Sequence, residues 1–239
     1  MNFSKENQME TKATIQSSSI FPGKYLDYVD IIQYNGNHLP HWEADSVIYH
    51  VSFRLADSIP ESLIRRWIYE RNSILEIANR ENRQLTEEEV KRLQFLYSDN
   101  IEKYLDAGYG SCLLKKDAVA QIVKGSLEYY NGQKYLLHAW CIMPNHVHTV
   151  FEMLGNTPQR EVLKAWKSFT AHAINKALNR KGRLWQVDSY NHIIRTEAEY
   201  YNQMRYVWNN PRFLPPAMQK WRWSCLVQAK DDNETPQQG

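Results

Sequence analysis

The chain has 239 residues, 43% of them hydrophobic and 23% charged, with a formal net charge of +2. That length holds one domain with a substantial core and room for an insertion, and the balance is that of an ordinary globular protein. No apolar run approaches the roughly 20 residues that a membrane-spanning helix needs. Residues 1–19 lack the apolar centre of a signal peptide, so the expected compartment is the cytoplasm. Cys112, Cys141 and Cys225 are scattered, which indicates neither a disulfide framework nor a cysteine-type zinc site.

Residues 1–37 read as a polar, flexible leader and 225–239 as a polar tail. Ser46 to Leu55 (SVIYHVSFRL) alternates and is rich in β-branched and aromatic residues, the pattern of a strand. Pro60 opens a helical stretch with Ile64, Trp67, Ile68, Ile74 and Ile77 as its apolar stripe. A second helix is expected from Thr86, with Glu89 completing a capping box. Its apolar side continues through Leu105, and Gly108 and Gly110 end it. Residues 60–108 are therefore expected to be a helical insertion.

Asp117 is the expected cap of a further helix that Asn131-Gly132 stops. Tyr135 to Met143 and His146 to Met153 read as two strands around a tight turn at Pro144-Asn145. The spacing of Val162, Trp166, Phe169, Ala173 and Ala177 predicts a helix from about Pro158 to Leu178. A short strand near Tyr190 to Arg195 follows. Thr196 and Glu199 form a second capping box and start a last helix that ends before Pro211. Without the insertion the order is β-α-β-β-α-β and then a helix. That is the ferredoxin-like order: an α+β fold with an antiparallel sheet and helices on one face.

Charge is unevenly spread. From Pro158 to Arg195 eight basic residues (Arg160, Lys164, Lys167, Lys176, Arg180, Lys181, Arg183, Arg195) face two acidic ones. Such an excess suits a polyanion such as nucleic acid, although a solvated helix face carries the same signature.

His146-Val147-His148 is the sharpest chemical feature. Alternate strand residues face the same side, so both imidazoles project together from an apolar strand pair. Two imidazoles on a rigid strand are a common half of a metal site, although two histidines on an exposed sheet face carry the same bare spacing. On the last helix Asn202, Tyr206 and Asn210 recur every four residues on one side, where a tyrosine and an amide could serve as nucleophile and metal ligand together. Tyr206 is one of 15 tyrosines, and an amphipathic core tyrosine with its hydroxyl at the surface fits the same spacing.

Trp140 to Glu152 (WCIMPNHVHTVFE) resembles the metal-binding core of the single-tyrosine HUH transposases. Tyr206-Val-Trp-Asn-Asn-Pro211 resembles their nucleophile motif. Leu39-Pro-His-Trp, Val51-Ser-Phe-Arg-Leu-Ala-Asp-Ser, Asp106-Ala-Gly-Tyr-Gly-Ser-Cys-Leu-Leu, Trp166-Lys-Ser-Phe-Thr-Ala-His and Leu184-Trp-Gln to Arg195 resemble, in order, segments of the REP-associated tyrosine transposases. The resemblance spans residues 38–224. It implies that His146 and His148 bind Mg²⁺ or Mn²⁺, that Asn210 is the third ligand, and that Tyr206 is the nucleophile. Asn191 departs from the acidic residue usual before the histidine of the Tyr-x-His-x-x-Arg stretch, and Arg212-Phe-Leu-Pro-Pro departs from the run usual after Asn-Pro.

The implied activity is cleavage and rejoining of single-stranded, hairpin-forming DNA through a 5′-phosphotyrosine. A phenol with a pKa near 10 needs help to attack at neutral pH, and a divalent cation on the phosphate supplies part of it. The covalent intermediate keeps the phosphodiester's energy, so rejoining needs no ATP. Arg160, Lys164, Lys167, Arg180, Lys181, Arg183 and Arg195 are the expected DNA contacts. No small-molecule substrate and no membrane partner is expected, and monomer and homodimer stay open. The rival reading is a domesticated DNA-hairpin binder that no longer cuts. A two-histidine phosphoesterase would need two separated His-x-Thr/Ser motifs, which the sequence does not pair.

Overall fold

The computed structural model describes residues 32–35, 40–43, 47–97 and 99–227. Most of the expected leader and tail lies outside them. Within the leader and just beyond it, β1 (Ile32–Asn35) and β2 (Pro40–Glu43) pair antiparallel. The main sheet contains β3 (Ile48–Arg54), β4 (Tyr135–Ile142), β5 (His146–Met153), β6 (Tyr190–Ile194) and β7 (Arg222–Ser224), in the order β6-β3-β5-β4-β7. Every neighbouring pair is antiparallel. Omitting the edge strand β7, the order is that of a ferredoxin-like sheet. Trp221-Arg-Trp-Ser, which forms this edge, is short enough to have passed as loop.

The period of two along each strand divides the sheet into two faces. Tyr49, Val51, Phe53, Val147 and Phe151 look to one side and pack under α4 (Asp117–Glu128) and α5 (Gln159–Ala177). Val119, Val123, Leu127, Trp166 and Ile174 supply the helical half of this core. Several of its polar tips are met by neighbours. Trp166 Nε1 donates to Tyr135 Oη at 3.0 Å, Tyr135 Oη to the Leu127 carbonyl at 2.7 Å, and Trp185 Nε1 to Thr170 Oγ1 at 2.8 Å. A bulge between Leu137 and Ala139 lets Leu137 and Trp140, three residues apart, face this same core.

The opposite face carries Ile48, Ala139, Cys141, Val150 and Ile194, covered by α6 (Glu197–Asn209) through Tyr200, Met204 and Val207. The two crossover helices thus share one face, as the sequence predicts, and the last helix takes the other. His50, His146 and His148 belong to the α6 face by the same alternation.

Between β3 and α4 run α1 (Glu61–Arg80), α2 (Glu87–Tyr97) and α3 (Asp99–Asp106). The helix expected to continue from Thr86 to Leu105 is divided, and Asp99-Asn100, which open α3, are residue types that start helices rather than extend them. The Thr86–Glu89 capping box forms in both directions, at 2.9 and 3.2 Å. At α6 only half of the second box forms. Thr196 Oγ1 accepts from Glu199 N at 3.1 Å, while the Glu199 carboxylate turns to Arg195 N and His192. Asp117 is not a cap: Lys116 holds the cap position of α4, and the Asp117 carboxylate accepts from Lys220 Nζ at 2.6 Å and Trp221 Nε1 at 3.1 Å.

The loop after α3 is fixed tightly. Gly110 has φ +86°, and a Cβ there would lie 2.4 Å from the Asp57 carbonyl oxygen, so only glycine fits. Ser111 N donates to Asp57 Oδ2 at 2.9 Å beside it.

Candidate active site

His146 and His148 stand together on the α6 face, ring centroids 4.7 Å apart and planes at 86°. Both are fully buried, as is Asn145 before them. Asn145 Nδ2 donates to the Tyr109 carbonyl at 3.0 Å, which orients the amide so that Oδ1 meets His146 Nδ1 at 2.8 Å. An amide oxygen only accepts, so the His146 proton is on Nδ1 and Nε2 carries a lone pair. Burial holds His146 neutral, its pKa pushed down to about 3. His148 is also held well below the usual range, by burial first and by His146 second.

His50, a residue the sequence reading passed over, completes the arrangement. In the β3–β5 register Ser52 is opposite His148, so His50 is its diagonal neighbour on the same face. His50 Nε2 lies 3.2 Å from His148 Nδ1. Burial, then His148 and His192, push the His50 pKa down, against a hydrogen bond to the Gln203 side chain that raises it. Two neutral rings share one proton between these nitrogens, while His148 Nε2 is buried with no hydrogen-bond partner. The proton belongs on Nδ1, where a partner exists, because an orphaned N–H costs more than an orphaned lone pair. Both strand histidines then present an Nε2 lone pair. Only the register reveals His50, which is why its place in an apolar strand gave no signal.

Tyr206 reaches this centre from α6. Its ring stands 5.3 Å from that of His148 at 90° and 5.8 Å from that of His50 at 64°. Its hydroxyl donates to Glu102 Oε1 of α3 at 3.0 Å. Burial first, and then the Glu102 charge, raise the Tyr206 pKa and keep the phenol protonated. Asn210, at the C-terminal cap of α6, shares the wall of a cavity of about 490 Å³ with Tyr206, Asp106 and Asn202. The structure thus brings Asn210 beside Tyr206 on the cavity wall. Among the described residues no group of three or more His, Cys, Asp or Glu side chains is placed to hold a metal ion.

The other tyrosines are occupied differently. Tyr200 is fully buried, with its hydroxyl 2.7 Å from His138 Nδ1. Tyr190 packs edge-on to His50 at 6.0 Å and stacks on His192 at 6.3 Å. His192 Nε2 bonds Glu199 Oε1 at 2.6 Å, and the neighbouring Asn191 Nδ2 donates to Gln159 Oε1 at 3.1 Å. Asn191 therefore fastens β6 to the start of α5.

The basic residues divide. Arg160, Lys164, Lys167 and Arg183 line one groove of about 760 Å³ between α5 and residues 182–189. Lys167 also donates to the Val187 carbonyl at 2.7 Å and to Ser189 Oγ at 3.0 Å, and burial pushes its pKa down to about 8. Arg180 bonds Asn175 Oδ1 at 3.3 Å, Lys181 is exposed in the following turn, and Arg195 sits at the start of α6. These last three lie outside the groove lining.

Residues 111–210 match the family model described as "Transposase IS200 like". That segment runs from the loop after α3 to Asn210 and contains His146, His148 and Tyr206. Among solved structures the chain is similar to a REP-associated tyrosine transposase bound to a REP hairpin, at 14% identity and a TM-score of 0.43, over 75% of this chain and 72% of that one. It is also similar to a protein described as a transposase from Deinococcus radiodurans R1, at 14% identity and a TM-score of 0.30, over 74% of this chain and 97% of that one. No curated protein matches.

Proposed function

From the match of residues 111–210 to the IS200-like transposase family, we propose that the protein is a metal-dependent, single-tyrosine transposase. It cleaves and rejoins single-stranded, hairpin-forming DNA, with Tyr206 as the nucleophile. The observation that carries this reading is the placement of the Tyr206 ring against His148, 5.3 Å between centroids. A DNA-hairpin binder that no longer cuts has no use for a phenol packed against a histidine whose Nε2 is left without a partner.

His146 and His148 fit a divalent cation. The orphaned Nε2 of His148 and the tautomer that Asn145 imposes on His146 are what two imidazole ligands require. With only two such side chains, the remaining donors would be oxygens: the Asn210 amide, water and the DNA phosphate, a set suited to Mg²⁺ or Mn²⁺. When bound, the cation withdraws charge from the non-bridging phosphate oxygens. Asn145 and His50 hold the two rings in orientation. The α6 helix holds Tyr206 over the same face through Tyr200, Met204 and Val207. Attack by its hydroxyl forms the phosphotyrosine bond at the 5′ side and releases a 3′-hydroxyl, and rejoining reverses the step. Arg160, Lys164 and Arg183 give the backbone a cationic groove.

The test is incubation with hairpin-bearing single strands and Mg²⁺, followed by denaturing electrophoresis. A covalent protein–DNA adduct that requires Mg²⁺ supports the reading. Tight hairpin binding with no adduct at any divalent cation supports the binder instead.

A further inference from the structure

Tyr206 does not stand alone over the histidines; a carboxylate from the helices between β3 and α4 meets its hydroxyl. We propose that Glu102 is the general base that takes the Tyr206 proton during strand cleavage and returns it during rejoining. The proposal rests on Tyr206 being the nucleophile.

The geometry is that of a base in place. Tyr206 Oη donates to Glu102 Oε1 at 3.0 Å, inside the hydrogen-bonding reach that proton transfer needs. A phenol ordinarily loses its proton only near pH 10, so that proton must leave as the bond to phosphorus forms. The groups around the hydroxyl leave one candidate to receive it. From β3 and β5, His50 and His148 are hydrogen-bonded to each other and offer Tyr206 ring contacts only. From β4, Cys141 is fully buried. Asp106, also on α3, lines the neighbouring cavity, with Asn202 and Arg205 of α6. Among the described residues, Glu102 is the group hydrogen-bonded to the reacting oxygen.

The carboxylate is also held in register with the histidines. Leu105, one helical turn beyond Glu102, is buried. The loop beyond it is locked by Gly110 against the Asp57 carbonyl, and the Tyr109 carbonyl takes the amide of Asn145. The other end of that amide orients His146. One chain of contacts therefore links α3, which carries the base, to the strand that carries the ligands. This gives the helical stretch at 60–108 a chemical task.

The step balances without a further reagent. A lone pair of Tyr206 Oη forms the O–P bond while the O–H proton passes to Glu102, whose carboxylate becomes a carboxylic acid. The P–O3′ bond breaks with its electron pair on the 3′ oxygen, which takes a proton from water. In rejoining, the 3′-hydroxyl attacks phosphorus and returns its proton to the solvent, and the departing Tyr206 oxygen recovers its own proton from Glu102.

Single-turnover adduct formation on a hairpin-bearing strand in Mg²⁺ tests this. Glu102→Gln keeps the size and accepts a hydrogen bond but cannot accept a proton, so the rate should fall by about 10²-fold or more with DNA affinity unchanged. Glu102→Ala should lose activity and regain part of it as formate is added, in proportion to concentration. A Glu102→Gln protein that forms adduct at the normal rate, or a Glu102→Ala protein whose loss formate does not relieve, overturns the proposal. Tyr206→Phe run in parallel separates the two levels: if it too forms adduct, the nucleophile is elsewhere and the underlying reading fails.

Discussion

Tyr206 and His148 meet edge to face, 90° between their planes, although they come from opposite sides of the interface between α6 and the sheet. The strand fixes His148 by its alternation, and the helix fixes Tyr206 by the four- and three-residue steps from Tyr200 to Met204 to Val207. Neither element is a loop, so the positions of this tyrosine and of the histidine face are set by the core itself.

The helix distinguishes its tyrosines. Tyr200→Phe should leave adduct formation near the normal rate. It removes the partner of buried His138 Nδ1, so it should cost about 1–3 kcal/mol of stability. Chemical denaturation and a cleavage assay on the same preparation check both halves.

His146→Ala and His148→Ala should each abolish cleavage while hairpin binding persists. A mutant that still cuts at the normal rate in Mg²⁺ contradicts the ligand pair. His50→Phe, which fills the space without an acceptor for His148 Nδ1, should raise the Mg²⁺ concentration needed for half-maximal cleavage by about 10–100-fold. Asn210→Ala should do less, because water replaces a neutral amide.

The groove sharpens the expectation for salt. Arg160→Ala, Lys164→Ala and Arg183→Ala together should flatten the log–log dependence of hairpin affinity on salt, by about 0.7 for each lost contact to a single strand. Arg180→Ala should change it little, since Arg180 is bonded to Asn175 outside the groove lining. Equal slopes for the triple mutant and the parent protein would remove the groove from the DNA path.

Lys167 gives the groove a dependence on pH. Its folded pKa, near 8, lies below the unfolded value of about 10.4. Burying the cation therefore costs stability below pH 8, and the cost disappears as pH rises towards the unfolded value. For binding the sign is opposite: the groove loses a positive charge as pH rises through 8. Hairpin affinity should fall between pH 7 and 9, and Lys167→Arg should remove that fall, as fluorescence anisotropy would show.

Much of this was legible because periodicity and position agreed. His146-x-His148 declared its shared face from spacing alone, and the β-α-β-β-α-β order required a ferredoxin-like sheet. What escaped was long-range. His50 pairs with His148 across 98 residues of sequence, and Glu102 meets Tyr206 across 104. No local pattern encodes either contact; both depend on strand register and on where α3 docks. Asp117 misled for the converse reason, since a residue type that favours caps found stronger partners in Lys220 and Trp221.

Digestion of the trapped protein–DNA adduct and sequencing of the modified peptide test the central claim most directly. The account predicts the nucleotide on Tyr206, within the peptide that precedes Asn209-Asn210-Pro211, and none in the Tyr206→Phe protein. Tyr190, whose ring lies 6.0 Å from that of His50, and Tyr201 on α6 are the competitors, and a nucleotide on either would contradict it.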